Sequence, residues 1–166
     1  TADRHPELDG LSRQAAGEAD EQRWANTDHL FGGPAPAPAV GLLLDTGHLT
    51  YAGGDALAVA RSHASRIAHV HCKDVRLDVL AAARKRDSSF LDAVLEGVFT
   101  VPGDGGVDYA AVLPVLARAG YQGWLVVEAE QDPARAHPLT YARMGHAKLS
   151  AFASHAGFDI KPPNVP

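Results

Sequence analysis

The sequence predicts an α/β fold with parallel strands, a partial (β/α)8 barrel of about three C-terminal βα units. Three observations carry that prediction. First, apolar runs of strand length deliver polar groups at their ends: Val40-Gly41-Leu42-Leu43-Leu44 runs into Asp45, Ile67-Ala68-His69-Val70-His71-Cys72 carries two imidazoles, and Trp124-Leu125-Val126-Val127 closes on Glu128. A strand buried on both faces reads as such a continuous run, and the C-terminal ends of strands are where α/β folds place their chemistry. Second, helical patterns separate the runs, and strands alternating with helices make a parallel sheet. Third, the chain has 166 residues, whereas a complete (β/α)8 barrel takes about 250.

Residues 1–39 read as a polar, weakly periodic leader, expected to be weakly ordered. A weak helix is conceivable over 8–24 with Asp9 as its cap, and Gly32-Gly33-Pro34-Ala35-Pro36-Ala37-Pro38 reads as a semi-rigid linker. From Val40 the βα rhythm begins. The first strand spans 40–44, and 46–54 reads as a loop. Asp55 can cap a helix to about residue 63. The second strand spans 67–72. A charged helix follows over 77–86, then a short one over 90–95 capped by Ser88 or Ser89. Residues 98–107 hold Pro102-Gly103-Asp104-Gly105-Gly106, a dense turn signal. Asp108 caps a helix to about residue 119, which Gly120 stops. The third strand spans 124–128, and a last helix opens at His137 or Pro138 and runs to about residue 155. The barrel portion is thus placed at 40–158 and a fraying tail at 159–166.

Composition places the chain among ordinary globular proteins, with 46% hydrophobic and 21% charged residues. A net charge of −5 gives no basic footprint for nucleic acid. No apolar run approaches the roughly 18 residues of a membrane span, and residues 1–39 hold no signal-peptide apolar core. The single Cys72 cannot form an internal disulfide, which fits a reducing cytoplasm.

Side chains alternate along a strand, so His69 and His71 share one face and Val70 and Cys72 the other, while Glu128 shares its face with Val126 and Glu130. Asp45, His71 and Glu128 could meet at the rim as two carboxylates and an imidazole. Carboxylates suit Mn²⁺ or Mg²⁺, and an imidazole extends the choice to Co²⁺ or Zn²⁺. Blander readings stand beside this one. Asp45 could cap the turn that follows it, and either histidine could be a satisfied core residue. His48 could meet substrate or simply belong to a loop. Lys73, Asp74 and Arg76 could form a solvated loop, the more so for Asp74. Glu128 is harder to dismiss, because a carboxylate closing a buried strand is costly without a partner. Arg84-Lys85-Arg86 reads as an exposed helix end, and Cys72 as a small buried hydrophobe.

Four segments carry a family resemblance: Asp45-Thr46-Gly47-His48-Leu49-Thr50-Tyr51-Ala52-Gly53-Gly54-Asp55, His69-Val70-His71-Cys72-Lys73-Asp74-Val75-Arg76, Gly97-Val98-Phe99-Thr100-Val101-Pro102-Gly103-Asp104-Gly105, and Gly123-Trp124-Leu125-Val126-Val127-Glu128-Ala129-Glu130-Gln131-Asp132-Pro133. On these the chain resembles the inosose dehydratase family of the xylose isomerase-like TIM-barrel superfamily. The resemblance implies a lyase that removes water from 2-keto-myo-inositol (scyllo-inosose), a cyclic ketopolyol, using Mn²⁺ or Co²⁺. It implies Asp45, His71 and Glu128 as metal ligands, Glu128 as base, His48 as a catalytic, substrate-side histidine, and Lys73 and Arg76 at substrate hydroxyls. The superfamily takes a further ligand from the preceding strand, which nothing in 1–39 resembles, so a truncated chain is expected. A three-stranded sheet exposes two edges, so self-association is expected too. The alternatives are a sugar isomerase or epimerase of the same superfamily and a non-catalytic barrel fragment.

Overall fold

A computed structural model describes residues 40–160. The expected leader and its helix, and most of the expected tail, lie outside the described residues.

The fold is a three-stranded parallel sheet with helices laid on one face. Strand β1 is Leu42–Asp45, β2 is Ile67–Cys72 and β5 is Leu125–Val127, in the order β1-β2-β5. In register, Leu43 pairs with His69, Leu44 with Val70, Asp45 with His71, His71 with Val126 and Cys72 with Val127. The β1–β2 register shifts between the Leu42–Ile67 and Leu43–His69 pairs. The extra residue on β2 is Ala68, a bulge that rephases side-chain alternation. Ile67 therefore joins Val70 and Cys72 in the core, while His69 and His71 keep the opposite face as alternation predicts. Beyond Leu44, Val70 and Cys72, the core is filled by Val59 and Ala60 of α2 (Ala56–His63) and by Val112, Leu113 and Leu116 of α5 (Tyr109–Arg118). Leu149 and Ala153 add the face of α6 (Pro138–His155). Helix α2 packs on α5, and α5 on α6.

The helix signals act as expected. Asp55 accepts from the Leu57 and Ala58 N–H groups at 2.8 and 3.2 Å, Asp108 from Ala111 at 3.0 Å, and Gly120 leaves α5 at φ 75°. Two differences matter. Residues 46–54 are not all loop: α1 spans Thr46–Tyr51. Thr, Gly, His and Tyr have modest helix propensity, so tertiary anchoring sustains this helix. Thr46 Oγ1 lies 2.8 Å from the Lys73 carbonyl oxygen and 2.8 Å from the Tyr109 hydroxyl, which itself donates to that carbonyl at 3.0 Å.

The second difference lies after β2. Strands β3 (Asp74–Val75) and β4 (Phe99–Thr100) form a short antiparallel ribbon enclosing helices α3 (Leu77–Arg86) and α4 (Phe90–Glu96). This excursion has its own small core of Val75, Leu80, Ala83, Ala93, Val98 and Phe99. Two-residue strands are too short to show a period of two in the sequence. The solvated-loop reading fails for Asp74, which is fully buried. Its carboxylate accepts from the N–H groups of Val75, Gly103, Gly105 and Val107 at 2.8–3.2 Å. That binds the 98–107 loop to the end of β2. Burial pushes the Asp74 carboxyl above its usual value, and the four N–H groups hold it back.

Among the described residues the outer strands β1 and β5 have no further neighbour, and Leu43 and Trp124 are exposed. Among those same residues no helix is long and apolar enough to cross a membrane.

Candidate functional site

The C-terminal ends of the parallel strands gather Asp45, His71 and Glu128. Asp45 and His71 are register partners, and Glu128 follows β5 with its N–H donating to the Cys72 carbonyl at 3.3 Å. The two oxygens of Asp45 divide their work. Oδ1 caps α1 by accepting from the His48 N–H at 2.8 Å. Oδ2 lies 3.5 Å from His71 Nδ1. Glu128 Oε2 lies 2.9 Å from the same nitrogen. One ligand atom from each of the three lies within 4.8 Å of the others.

Such a set can be tested against a metal. A divalent ion takes ligands at about 2.0–2.2 Å, so ligand atoms around one ion stand roughly 3–4 Å apart. The observed separations of 2.9 and 3.5 Å agree with that. Glu128 Oε2 is buried and makes no hydrogen bond, although His71 Nδ1 is close. An imidazole and a carboxylate aimed at a common point rather than at each other produce that geometry. A buried carboxylate oxygen that lies 2.9 Å from an imidazole nitrogen yet makes no hydrogen bond is a costly arrangement. The donor set therefore fits a cation.

Beside it stands a second group of charges. The Lys73 side chain is 1% exposed, so the solvated-loop reading fails here as well. Its Nζ lies 2.6 Å from Glu130 Oε2 and 2.7 Å from His48 Nε2. It is also 3.4 Å from Glu128 Oε1 and 3.6 Å from Asp45 Oδ2, and 5.1 Å from the Phe99 ring centre. An ammonium buried among carboxylates, an imidazole and an aromatic face is paired on every side, as burial of a charge requires. Gly47 makes room for its stem: a Cβ there would lie 2.5 Å from Lys73 Cγ. The His48 ring also meets Phe99 edge-on and stacks toward Phe90, with centres 5.1 and 6.0 Å apart.

Arg76 lies outside this group. Its guanidinium bonds the Gly97 carbonyl at 2.7 Å, Asp104 Oδ2 at 2.7 Å and Thr100 Oγ1 at 3.0 Å. Among the described residues its ion-pair partner is Asp104. His69 shares the His71 face, with ring centres 5.3 Å apart. Cys72 is buried on the opposite face, and burial pushes its thiol up to about 12.

Glu130 is the member of this cluster that the sequence reading left unassigned. The signal for it was present: it lies two residues beyond Glu128 on the same strand parity. Its backbone leaves that pattern at φ 47°. Such left-handed geometry costs a non-glycine residue about 1–2 kcal/mol.

The family model described as "Xylose isomerase-like TIM barrel" matches residues 32–151. "Rhizopine catabolism protein MocC" of Rhizobium meliloti is 66% identical over 121 residues, 73% of this chain and 37% of its own length. "Inosose dehydratase" of Geobacillus thermodenitrificans is 57% identical over 103 residues, 62% of this chain and 35% of its own. The same-named protein of Clostridium tetani is 55% identical over 101 residues, 61% of this chain and 34% of its own. The chain thus spans little more than a third of the length of these relatives. A solved structure, a xylose isomerase domain protein from Alicyclobacillus acidocaldarius, superposes with a TM-score of 0.52 at 24% identity. It covers 78% of this chain and 41% of its own, a likeness that speaks to the fold. On the family match and the shared parallel βα architecture, the chain belongs to the xylose isomerase-like TIM barrel family.

Proposed function

We propose that the chain carries the cation-holding part of a metal-dependent dehydratase, a carbon–oxygen lyase acting on a cyclic ketopolyol in the cytoplasm. The observation that carries this reading is the convergence of Asp45, His71 and Glu128 within 4.8 Å. The substrate follows from the relatives named inosose dehydratase, 57% and 55% identical: 2-keto-myo-inositol, which loses water to give a trihydroxycyclohexane dione. Two carboxylates and an imidazole suit Mn²⁺ or Co²⁺. When bound, such an ion polarises a ketone and stabilises negative charge building on its oxygen.

The chain's own residues supply the rest. Glu128 presents Oε2 to the cation side and Oε1 toward Lys73. It is the base that takes the proton from the carbon beside the ketone. The electron pair left behind forms a carbon–carbon double bond as the hydroxyl on the next carbon departs. His48 Nε2, 2.7 Å from the Lys73 ammonium, takes a proton from that ammonium and delivers it to the hydroxyl, so that water leaves. The proton collected by Glu128, whose Oε1 lies 3.4 Å from Lys73 Nζ, restores the ammonium. The enol that remains tautomerises to the dione, and the balance is substrate to dione plus one water. Lys73 and Arg76 bind further hydroxyls, Lys73 beside the imidazole and Arg76 from the start of α3, where it pairs with Asp104 of the 98–107 loop.

The 66% identity to a protein named for rhizopine catabolism favours a second reading, the same site serving the breakdown of a rhizopine. The protein, incubated with 2-keto-myo-inositol and Mn²⁺ or Co²⁺, should release a product lighter by one water, and EDTA should abolish it. A product of unchanged mass would instead mean isomerisation.

A further inference from the structure

The Lys73 ammonium stands between two claimants. An ammonium has three N–H donors. Two reach Glu130 Oε2 at 2.6 Å and His48 Nε2 at 2.7 Å. The remaining side of the head faces Glu128 Oε1 at 3.4 Å and Asp45 Oδ2 at 3.6 Å, both beyond good hydrogen-bond length. Its stem runs close over Gly47, where even a Cβ would not fit, and the ammonium faces the Phe99 ring. The head can therefore lean only a short way, toward Glu130 or toward the Asp45–Glu128 pair.

Which way it leans decides what the Asp45–His71–Glu128 set can hold. An ammonium drawn onto Asp45 and Glu128 offsets one of their two negative charges and competes with a divalent ion for their oxygens. Drawn onto Glu130, it leaves them anionic. Glu130 is built for the second outcome. Its left-handed backbone, φ 47°, returns a carboxylate toward the rim at a position where ordinary strand continuation is abandoned. Backbone strain of this kind persists only where the surroundings enforce it.

We propose that Glu130 is a positioning residue that holds the Lys73 ammonium off the cation-binding carboxylates and beside His48. This rests on the reading of Asp45, His71 and Glu128 as cation ligands. Glu130 acts through Lys73 and is not itself a ligand.

The test is titration of the protein with MnCl₂ alone, followed by calorimetry, for wild type, Glu130→Gln, Lys73→Met and the double variant. The amide of Glu130→Gln fills the same space and still accepts a hydrogen bond, so the charge alone is removed. Lys73 should then lean onto Asp45 and Glu128, and Mn²⁺ affinity should fall roughly 10- to 100-fold, the usual cost of losing a supporting partner. Removing the competing cation as well should restore it, so the double variant should bind within about threefold of wild type. Should Lys73→Met fail to fold, Glu130→Asp takes its place: a shorter carboxylate keeps the charge and should bind Mn²⁺ more tightly than Glu130→Gln.

An unchanged affinity in Glu130→Gln overturns the proposal while leaving the cation site standing. A double variant as weak as Glu130→Gln overturns it too, by making Glu130 a direct ligand, as does a Glu130→Asp no tighter than Glu130→Gln. Wild type that binds no Mn²⁺ overturns the cation site, and this proposal with it.

Discussion

Asp45 and His71 are register partners on neighbouring parallel strands, and a single carboxylate of Asp45 both approaches His71 Nδ1 at 3.5 Å and caps α1 through the His48 N–H at 2.8 Å. The two functions separate by substitution. Asparagine caps helices as well as aspartate does, so Asp45→Asn should keep the melting temperature within a few degrees of wild type. Asp45→Ala loses the cap and should cost about 1 kcal/mol more. Mn²⁺ binding should be lost in both alike, since both remove the anionic oxygen. Paired thermal melts and calorimetric titrations check this. An Asp45→Asn variant that keeps full Mn²⁺ affinity would leave Asp45 only its cap.

Gly47 leaves room for the Lys73 stem. A Cβ at position 47 would stand 2.5–2.8 Å from Lys73 Cβ, Cγ and Cδ. In most helices Gly→Ala is stabilising by up to about 1 kcal/mol. Here overpacking of a buried stem should reverse the sign and cost about 1–3 kcal/mol. Urea denaturation of Gly47→Ala gives the sign directly. A more stable variant would mean that the Lys73 stem has room to move.

How much of this was legible in the sequence depends on whether neighbours in space are neighbours in sequence. The strand β2 was readable from its apolar run, and its alternation placed His69 and His71 on one face and Val70 and Cys72 on the other. The caps Asp55 and Asp108 were readable, and the third was narrowed to Ser88 or Ser89, of which Ser89 is the cap, because a cap acts within three residues. Asp45 had two readings for a physical reason: the spacing to His48 suits a cap, while its closeness to His71 comes from strand register, which local sequence does not state. A solvated loop stood as the alternative reading of Lys73 and Asp74 because polar residues after a strand usually are solvated. Their burial comes from chain that returns from far away: Tyr109 and Glu130 for one, and the 103–107 turn for the other. Helix α1 escaped notice because its own residues favour a helix weakly.

Asp74 gives the sharpest stability test. Four backbone N–H groups converge on one buried carboxylate. Asp74→Ala would leave all four without that acceptor, and each buried unsatisfied group costs about 1–3 kcal/mol. The loss should be at least about 3 kcal/mol. Asp74→Asn keeps one acceptor oxygen and turns an amide donor toward two N–H groups, so it should fall between alanine and wild type. Urea midpoints order the three. If alanine costs less than about 1 kcal/mol, the turn is satisfied by water instead.

The alkaline limb of stability should belong to two buried phenols together with the buried Cys72 thiol, whose raised pKa opens its window lower, from about pH 9. Burial pushes the Tyr121 hydroxyl from 10.0 up to about 12, and pushes Tyr109 higher still. An acid whose folded pKa is raised keeps its proton in the folded state where the unfolded chain has lost it. Between about pH 10 and pH 12 the folded state binds more protons than the unfolded one, so stability falls as pH rises through that window. Below about pH 10 the two phenols hold their proton in both states and add no slope. Each group removes up to about 1.4 kcal/mol per pH unit within its window. Tyr121→Phe loses the hydrogen bond to the Trp124 carbonyl, 2.8 Å long, and should be about 1 kcal/mol less stable near neutral pH. It should also lose stability less steeply above about pH 10, because one titrating group is gone. Urea melts at about pH 8 and about pH 11 separate the two effects. Phenolate absorbance should show Tyr109 and Tyr121 ionising only as the chain unfolds. If Tyr121→Phe declined as steeply as wild type, the alkaline loss would have to come from groups other than this phenol.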